Sequence, residues 1–299
     1  MSDTPLVSII MNCYNGETYL REALDSVLAQ TYQNWEVIFW DNQSTDQSAN
    51  IFKIYDDERL KYFYAPKHTL LYEARNYAIE KAAGEFFAFL DVDDWWIPEK
   101  LELQIPLFAD PEVGLVYGNY WFENEVKCTS KIQYRFKLPT GIILNELLKK
   151  YVVGLLTIVI RRSSLDAEKH PFNARYHIIG DFDCAIRLSV NWKFNCVQEP
   201  VAYYRWYGDN ETNKNKEKQI QELEHWYCEM MQIDILAVEF IFLNVVHNNI
   251  LYMKGKLELE NHRFLKAFYL LKELPIGIMK LKLFLFYILP KKLINLFTA

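Results

Sequence analysis

The chain has 299 residues, 51% of them hydrophobic and 24% charged, which is enough apolar mass for one large domain or a domain with an appendage and excludes a disordered chain. Five cysteines (Cys13, Cys128, Cys184, Cys196, Cys228) form no C-x-x-C pair, which argues against a disulfide framework or a structural zinc site and fits a reducing cytosol. The formal charge of −6 is unevenly spread: residues 254–299 carry nine Lys/Arg against three Glu, a net of +6, leaving −12 on residues 1–253. No nucleic-acid partner is expected for such a body, while the basic tail suits either an anionic partner, membranes included, or a solvated helix face.

Met1 to Pro5 lacks a basic patch followed by an apolar stretch, so no signal peptide is expected. Leu6 to Met11 is a short apolar run suited to a buried strand, followed by the polar turn Asn12 to Gly16. From about Glu17, the spacing of Leu20, Leu24, Val27 and Leu28 predicts a helix capped by Asn15 or Thr18. Trp35 to Trp40 reads as a second strand ending on Asp41 and the turn Asn42 to Asp46, and a helix then runs to about Tyr55. Leu60 to Tyr64 is a third strand, Tyr72 to Ala83 a third helix, and Glu85 to Asp91 a fourth strand. Strands alternating with helices of this length predict an α/β fold with a mostly parallel sheet flanked by helices.

The fourth strand runs into Asp91, Asp93 and Asp94. Ligands of open α/β sheets sit beyond the carboxyl ends of the strands, so these acids fall where a ligand would bind. Three carboxylates within four positions repel one another unless a cation, or a hydrogen-bonded hydroxyl, offsets their charge, and hard oxygens suit Mg²⁺ or Mn²⁺, which complete their shells with water and phosphate. The pattern points to a nucleoside-diphosphate ligand; a solvated acidic turn ahead of the helix that Pro98 opens is the plainer alternative.

Beyond that helix, which should reach about Ala109, Val113 to Phe122 reads as strand and residues 123–140 as a less regular, strand-bearing insertion. A helix near Gly141 to Tyr151, a strand at Leu155 to Ile160, a helix opening near Asp181, and two short strands at Phe194 to Val197 and Val201 to Trp206 follow. From Thr212 the patterns are long and helical. The expected division is residues 1–208 as the catalytic domain and 209–299 as a C-terminal helical appendage. Leu283 to Leu289 is apolar all round and bracketed by Lys280, Lys282, Lys291 and Lys292; it is too short to span a bilayer, and an interfacial anchor across 276–297 is favoured narrowly over a core helix or an oligomer contact.

Val7 to Asn15, Asp41 to Asp46, Glu73-Ala74-Arg75-Asn76, Gly84 to Asp94, and Gly180 to Asp183 with Arg187-Leu188 together resemble the inverting family 2 glycosyltransferases of the GT-A fold, in order over roughly residues 5–208. The resemblance implies a metal-dependent enzyme that moves one sugar from a nucleoside-diphosphate sugar, a UDP-sugar favoured, to a hydroxyl of a glycan or lipid-linked oligosaccharide. It implies work in cell-surface polysaccharide synthesis, at the cytoplasmic face of a membrane. It assigns donor binding to Asn12, Tyr14, Asn15, Asp41, Arg75 and Asp91, the Mn²⁺ or Mg²⁺ ion to Asp93 with Asp91 as a second candidate, and the catalytic base to Asp181.

Three departures stand out. Asn42 and Gln43 occupy positions where the family usually has an acid or Gly, the loop from Lys67 to Tyr72 lacks the usual glycine, and Trp206-Tyr207-Gly208 replaces a His that reaches metal or phosphate in many relatives. Tyr207 offers a hydrogen bond instead of an imidazole ligand. The missing His keeps a second expectation in play, a non-catalytic transferase-like subunit that binds or assembles through its tail. Trp95 and Trp96 suit sugar stacking, but packing is expected for at least one of them.

Overall fold

A computed structural model describes residues 4–165, 171–208, 210–232 and 240–288. These fall into two compact units, residues 1–147 with 151–210, and residues 148–150 with 211–299.

The first unit is an α/β sandwich. In chain order it contains β1 (Val7–Cys13), α1 (Leu20–Leu28), β2 (Trp35–Asp41), α2 (Ser48–Lys53), β3 (Leu60–Tyr64), α3 (Leu71–Glu80), β4 (Phe86–Phe89), β5 (Trp95–Trp96), α4 (Lys100–Gln104), β6 (Val113–Asn124), β7 (Thr129–Ile132), α5 (Leu144–Lys149), β8 (Val159–Arg161), α6 (Arg162–Leu165), α7 (Gly180–Asn191) and β9 (Lys193–Trp206). The strand order is β3-β2-β1-β4-β8-β6-β9-β5, with β7 on the side of β6. The expected parallel sheet is formed by β3, β2, β1 and β4, and beyond β4 it continues through the antiparallel partner β8. β1 and β2 are buried at every position and mostly apolar, as a two-sided strand requires, with Ser8 on β1 hydrogen-bonded to Glu36 on β2 and the polar Asn12 and Asp41 near their carboxyl ends. Val7, Ile9 and Met11 of β1 and Val37 and Phe39 of β2 share one core with α1, Phe52, Phe86 and Phe108.

Several boundaries differ from the sequence expectation. The first helix starts at Leu20, and Asn15 and Thr18 do not cap it; its N-cap, Tyr19, makes no side-chain cap hydrogen bond. The helix after Pro98 gives way at Ile105 to a 3₁₀ turn through Phe108, because Pro106 has no N–H to continue the α pattern. Leu155 to Thr157 is a 3₁₀ turn closed by Thr157 bonding back to the Gly154 carbonyl, so the strand expected there is only Val159–Arg161. The last two expected strands are one, β9, whose pairing with β6 shifts register at Gly118/Asn119, opposite the stretch from Val197 to Pro200.

The second unit contains α8 (Glu211–Lys214), α9 (Lys216–Met230), α10 (Phe240–Glu260), α11 (Phe264–Glu273) and α12 (Ile278–Ile288). Leu251, Leu259, Ala267, Leu271, Leu274 and Leu283 form its buried cluster. Leu283 lies against Gly255, where a Cβ would collide with it. Around that anchor α12 is open: Ile278, Leu281, Phe284, Leu285 and Ile288 are all exposed. The rest of the expected anchor, residues 289–297, lies outside the described residues. No described helix is long and apolar enough to cross a membrane.

Candidate functional site

The carboxyl ends of β1, β2 and β4 bring three loops together. The loop after β1 is stitched to the loop after β2 by side chains accepting from backbone N–H groups. Asn15 N–H donates to Ser44 Oγ at 3.0 Å, Thr45 N–H to Asn15 Oδ1 at 2.8 Å, Gly16 N–H to Ser48 Oγ at 2.9 Å and Glu17 N–H to Asp46 Oδ2 at 3.0 Å. Asn15 thus shapes the loop and takes a positive φ of 53°. A Cβ on Gly16 would come within 2.6 Å of Val92 Cγ2, so glycine is what lets this loop pass over the acid loop that follows β4.

Asn12, at the end of β1, is buried with both amide atoms lacking a hydrogen-bond partner among the described residues. Such groups are costly unless something else satisfies them, which marks Asn12 as facing a ligand position. Asp41 is fully buried, accepting from the Tyr62 hydroxyl at 2.6 Å and from Ser44 N–H at 2.7 Å; each oxygen retains acceptor capacity. Tyr14 is 55% exposed, and its ring meets His68 at 4.4 Å.

His68 sits there because Asn42 does. The Asn42 amide pairs with Thr69, donating to its carbonyl at 2.8 Å and accepting from its N–H at 3.2 Å, and the Asn42 carbonyl accepts from His68 Nδ1 at 2.8 Å. The departures at Asn42 and in the 67–72 loop are therefore one feature: the amide anchors the glycine-free loop and sets His68 against Tyr14. Sequence reasoning passed over His68 because its partners, Asn42 and Tyr14, are distant in the chain, with no local signal.

In the acid loop the three carboxylates have different surroundings. Asp91 pairs with Arg75 of α3. Asp93 accepts from the Tyr207 hydroxyl at 3.1 Å; burial, and then the charge of Asp91, push its carboxyl up to about 6. Asp94 is buried, accepting from Arg205 N–H at 2.8 Å, and burial followed by the Asp93 charge raises it well above the usual range. Arg205 fixes the loop from behind, donating to the Asp93 carbonyl at 2.8 Å and pairing with Glu22 and Glu125, with its guanidinium over Tyr19 and Trp95. Trp95 also stacks on Tyr203 at 4.8 Å, and Trp96 is buried with its indole N–H on the Leu156 carbonyl at 2.8 Å, so both indoles pack in this fold.

Among the described residues no three His, Cys, Asp or Glu side chains form a preformed metal cage. Asp91 and Asp93 nevertheless suit a hard divalent ion. Their donors are oxygens, and burial, followed by the Asp91 charge, disfavours the ionised Asp93 that a cation would stabilise. One or two carboxylates are what Mg²⁺ or Mn²⁺ uses when phosphates and water complete its shell.

Asp181 is the second residue of α7, where the helix dipole favours a carboxylate. Burial nonetheless raises its carboxyl, opposed by the hydrogen bond from Tyr72 and the charge of Arg75. Asp183 turns instead to Arg187, at 3.0 Å. α3 is thus common to both ends of the site, with Tyr72 reaching Asp181 and Arg75 reaching Asp91.

The family model for glycosyl transferase family 2 matches residues 8–167, more than half of the chain. The chain belongs to this family. A relative, the UDP-Glc:alpha-D-GlcNAc-diphosphoundecaprenol beta-1,3-glucosyltransferase WfgD of Escherichia coli, is 40% identical over 172 residues, a match covering 57% of this chain and 66% of WfgD. Among solved structures, Staphylococcus aureus TarS 1–349 in complex with UDP-GlcNAc has a TM-score of 0.67 at 21% identity, covering 90% of this chain and 81% of that one. The mannosyltransferase PcManGT of Pyrobaculum calidifontis, in complex with GDP-Man and Mn²⁺, has a TM-score of 0.65 at 16% identity, covering 91% and 75%. The two structures share the GT-A fold with this family 2 glycosyltransferase.

Proposed function

We propose that this family 2 glycosyltransferase moves one sugar, with inversion, from a UDP-sugar to a hydroxyl of a polyprenyl-diphosphate-linked glycan, in the assembly of a cell-surface polysaccharide. The observation that carries the reading is that α3 holds both Asp91 and Asp181, through Arg75 and Tyr72, which share one face of the helix. UDP-glucose is the first donor to try, and a GlcNAc-diphosphate lipid the first acceptor, because the chain is 40% identical to WfgD over 172 residues.

The uracil lies by the Tyr14–His68 pair with Asp41 behind it, and the Asn12 amide gains partners from the nucleoside. Asp93, with Asp91, would hold a divalent ion that neutralises charge on the leaving diphosphate. Arg75, kept in place by Asp91, presents a fixed guanidinium at the same loop. Asp181 accepts the proton of the acceptor hydroxyl as its oxygen attacks the anomeric carbon from the face opposite the diphosphate. Its raised carboxyl brings its basicity closer to the working pH. A single displacement of this kind turns an α-linked donor into a β-linked product.

The acceptor's lipid places the work at a membrane, and α11 and α12 are suited to its surface. Phe264 and Leu265 of α11 and Leu281, Phe284, Leu285 and Ile288 of α12 are exposed beside Lys266, Lys272 and Lys282. Apolar groups and lysines together favour anionic lipid, giving peripheral attachment at the cytoplasmic face.

The donor site is tested by calorimetric titration of UDP with and without Mn²⁺, on wild type and Asp93→Ala. Binding that needs Mn²⁺ and disappears in the variant is the expected result. Equal binding by both proteins sinks the assignment of Asp93.

A further inference from the structure

We propose that Tyr72 is a positioning residue for Asp181: its hydroxyl holds Oδ1 of the carboxylate, leaving Oδ2 to take the acceptor proton. The inference deepens the base assignment and rests on it.

Tyr72 stands in the first turn of α3, only 3% exposed, and its hydroxyl lies 2.9 Å from Asp181 Oδ1 and 3.2 Å from the Ile178 carbonyl. A hydrogen bond to an ionised oxygen is shorter and stronger than one to a neutral carbonyl, so the proton is directed to the carboxylate. The ring is held on several sides. Phe172 packs on it at 5.3 Å, and the Arg75 guanidinium lies over it at 5.0 Å. The segment bearing Phe172 is itself clamped to α3, with the Asn76 amide donating to the Phe172 carbonyl at 2.7 Å and accepting from its N–H at 3.0 Å.

Gly180 completes the fit. A Cβ there would lie 2.5 Å from the Tyr72 ring carbons, so only glycine lets the ring lie flat against the start of α7, where Asp181 begins the turn. Glycine at 180 and tyrosine at 72 are one device: the first makes room for the ring that carries the hydroxyl of the second.

The charged and titratable groups around Asp181 are Tyr72 and Arg75 from α3, Tyr151 from the segment before the Leu155–Thr157 turn, and Asp183 on its own helix, paired with Arg187. Tyr151 has a buried hydroxyl without a hydrogen-bond partner among the described residues. Its own titration is raised by burial and then by the charge of Asp181, so it stays a neutral phenol at working pH. Tyr72 is therefore the side-chain donor that orients Asp181, alongside the backbone N–H groups of Phe182 and Asp181, and its hydrogen bond favours the ionised, proton-accepting form.

The test is a titration of the Asp181 carboxyl carbon by NMR in ¹³C-aspartate-labelled full-length protein, with Asp181→Asn assigning the resonance. Tyr72→Phe keeps the ring and its packing; it should raise the Asp181 pKa by about one unit. The acidic limb of the kcat profile for glucose transfer from UDP-glucose should move up with it, lowering kcat about tenfold at a fixed pH on that limb with UDP affinity unchanged. Gly180→Ala, which displaces the ring, should give the same carboxyl shift, and the double variant no more than Tyr72→Phe alone. An Asp181 pKa unmoved in Tyr72→Phe and in Gly180→Ala overturns the proposal. A shifted pKa with transfer activity surviving in Asp181→Asn instead overturns the base assignment, so the two failures are told apart.

Discussion

The Arg75 guanidinium and the Asp91 carboxylate form an ion pair with one buried end and one open end: 3% of the arginine side chain is exposed against 36% of the aspartate's. Taking the Asp91 partner away would leave a cation buried in the first unit, so the pair ties the acid loop to α3. The open carboxylate edge stays available to ligand or ion. Arg75→Lys keeps the charge and loses the planar fork, so UDP-sugar affinity should fall about tenfold or more by calorimetry. Unchanged affinity would show that Arg75 serves the fold alone.

Asp93 gives a prediction about stability. Burial, and then the charge of Asp91, raise its carboxyl to about 6, against roughly 3.9 in an unfolded chain. Between those values the folded state holds a proton that the unfolded state has released. Stability therefore falls as pH rises through that window and stays reduced above it. Asp93→Asn removes the cost, so in metal-free buffer its Tm should exceed that of wild type at neutral pH. The difference should close toward about pH 4. A variant less stable than wild type at neutral pH would mean that the Asp93 charge is already compensated in the free protein.

The open side of α12 predicts lipid binding. Leu281→Glu with Phe284→Glu alters two exposed positions, leaving Tm near that of wild type. Flotation should find wild type on phosphatidylglycerol vesicles, released in part by high salt, and the double variant in solution. Wild type that ignores such vesicles would remove the membrane from the account.

The parallel part of the fold was legible because β1, β2 and β4 are short, mostly apolar runs, each ending in a polar turn, and these features are local. The acid loop was legible for the same reason, since Asp91, Asp93 and Asp94 follow directly on β4. What the sequence hid depends on distant partners. Asn15 reads as a helix cap, yet its side chain serves Thr45, 30 residues on. Tyr72 reads as an ordinary helical aromatic, yet its hydroxyl meets Asp181, 109 residues away. Arg205 stood out in the sequence only as the residue ahead of Trp206-Tyr207-Gly208, and it joins Asp93, Glu22 and Glu125 from three separate segments. The Tyr207 hydroxyl was foreseen as a substitute for a missing imidazole, and it lies 3.1 Å from Asp93 Oδ2.

The stereochemistry of the product tests the central claim most directly. Wild type is incubated with UDP-α-D-glucose, Mn²⁺ and a GlcNAc-diphosphate lipid, and the anomeric configuration of the new bond is determined by NMR. The account predicts a β-linked glucoside, made by wild type and absent with Asp181→Asn, while that variant still binds UDP. An α-linked product, full activity in Asp181→Asn, or no glucose transfer by wild type would contradict it.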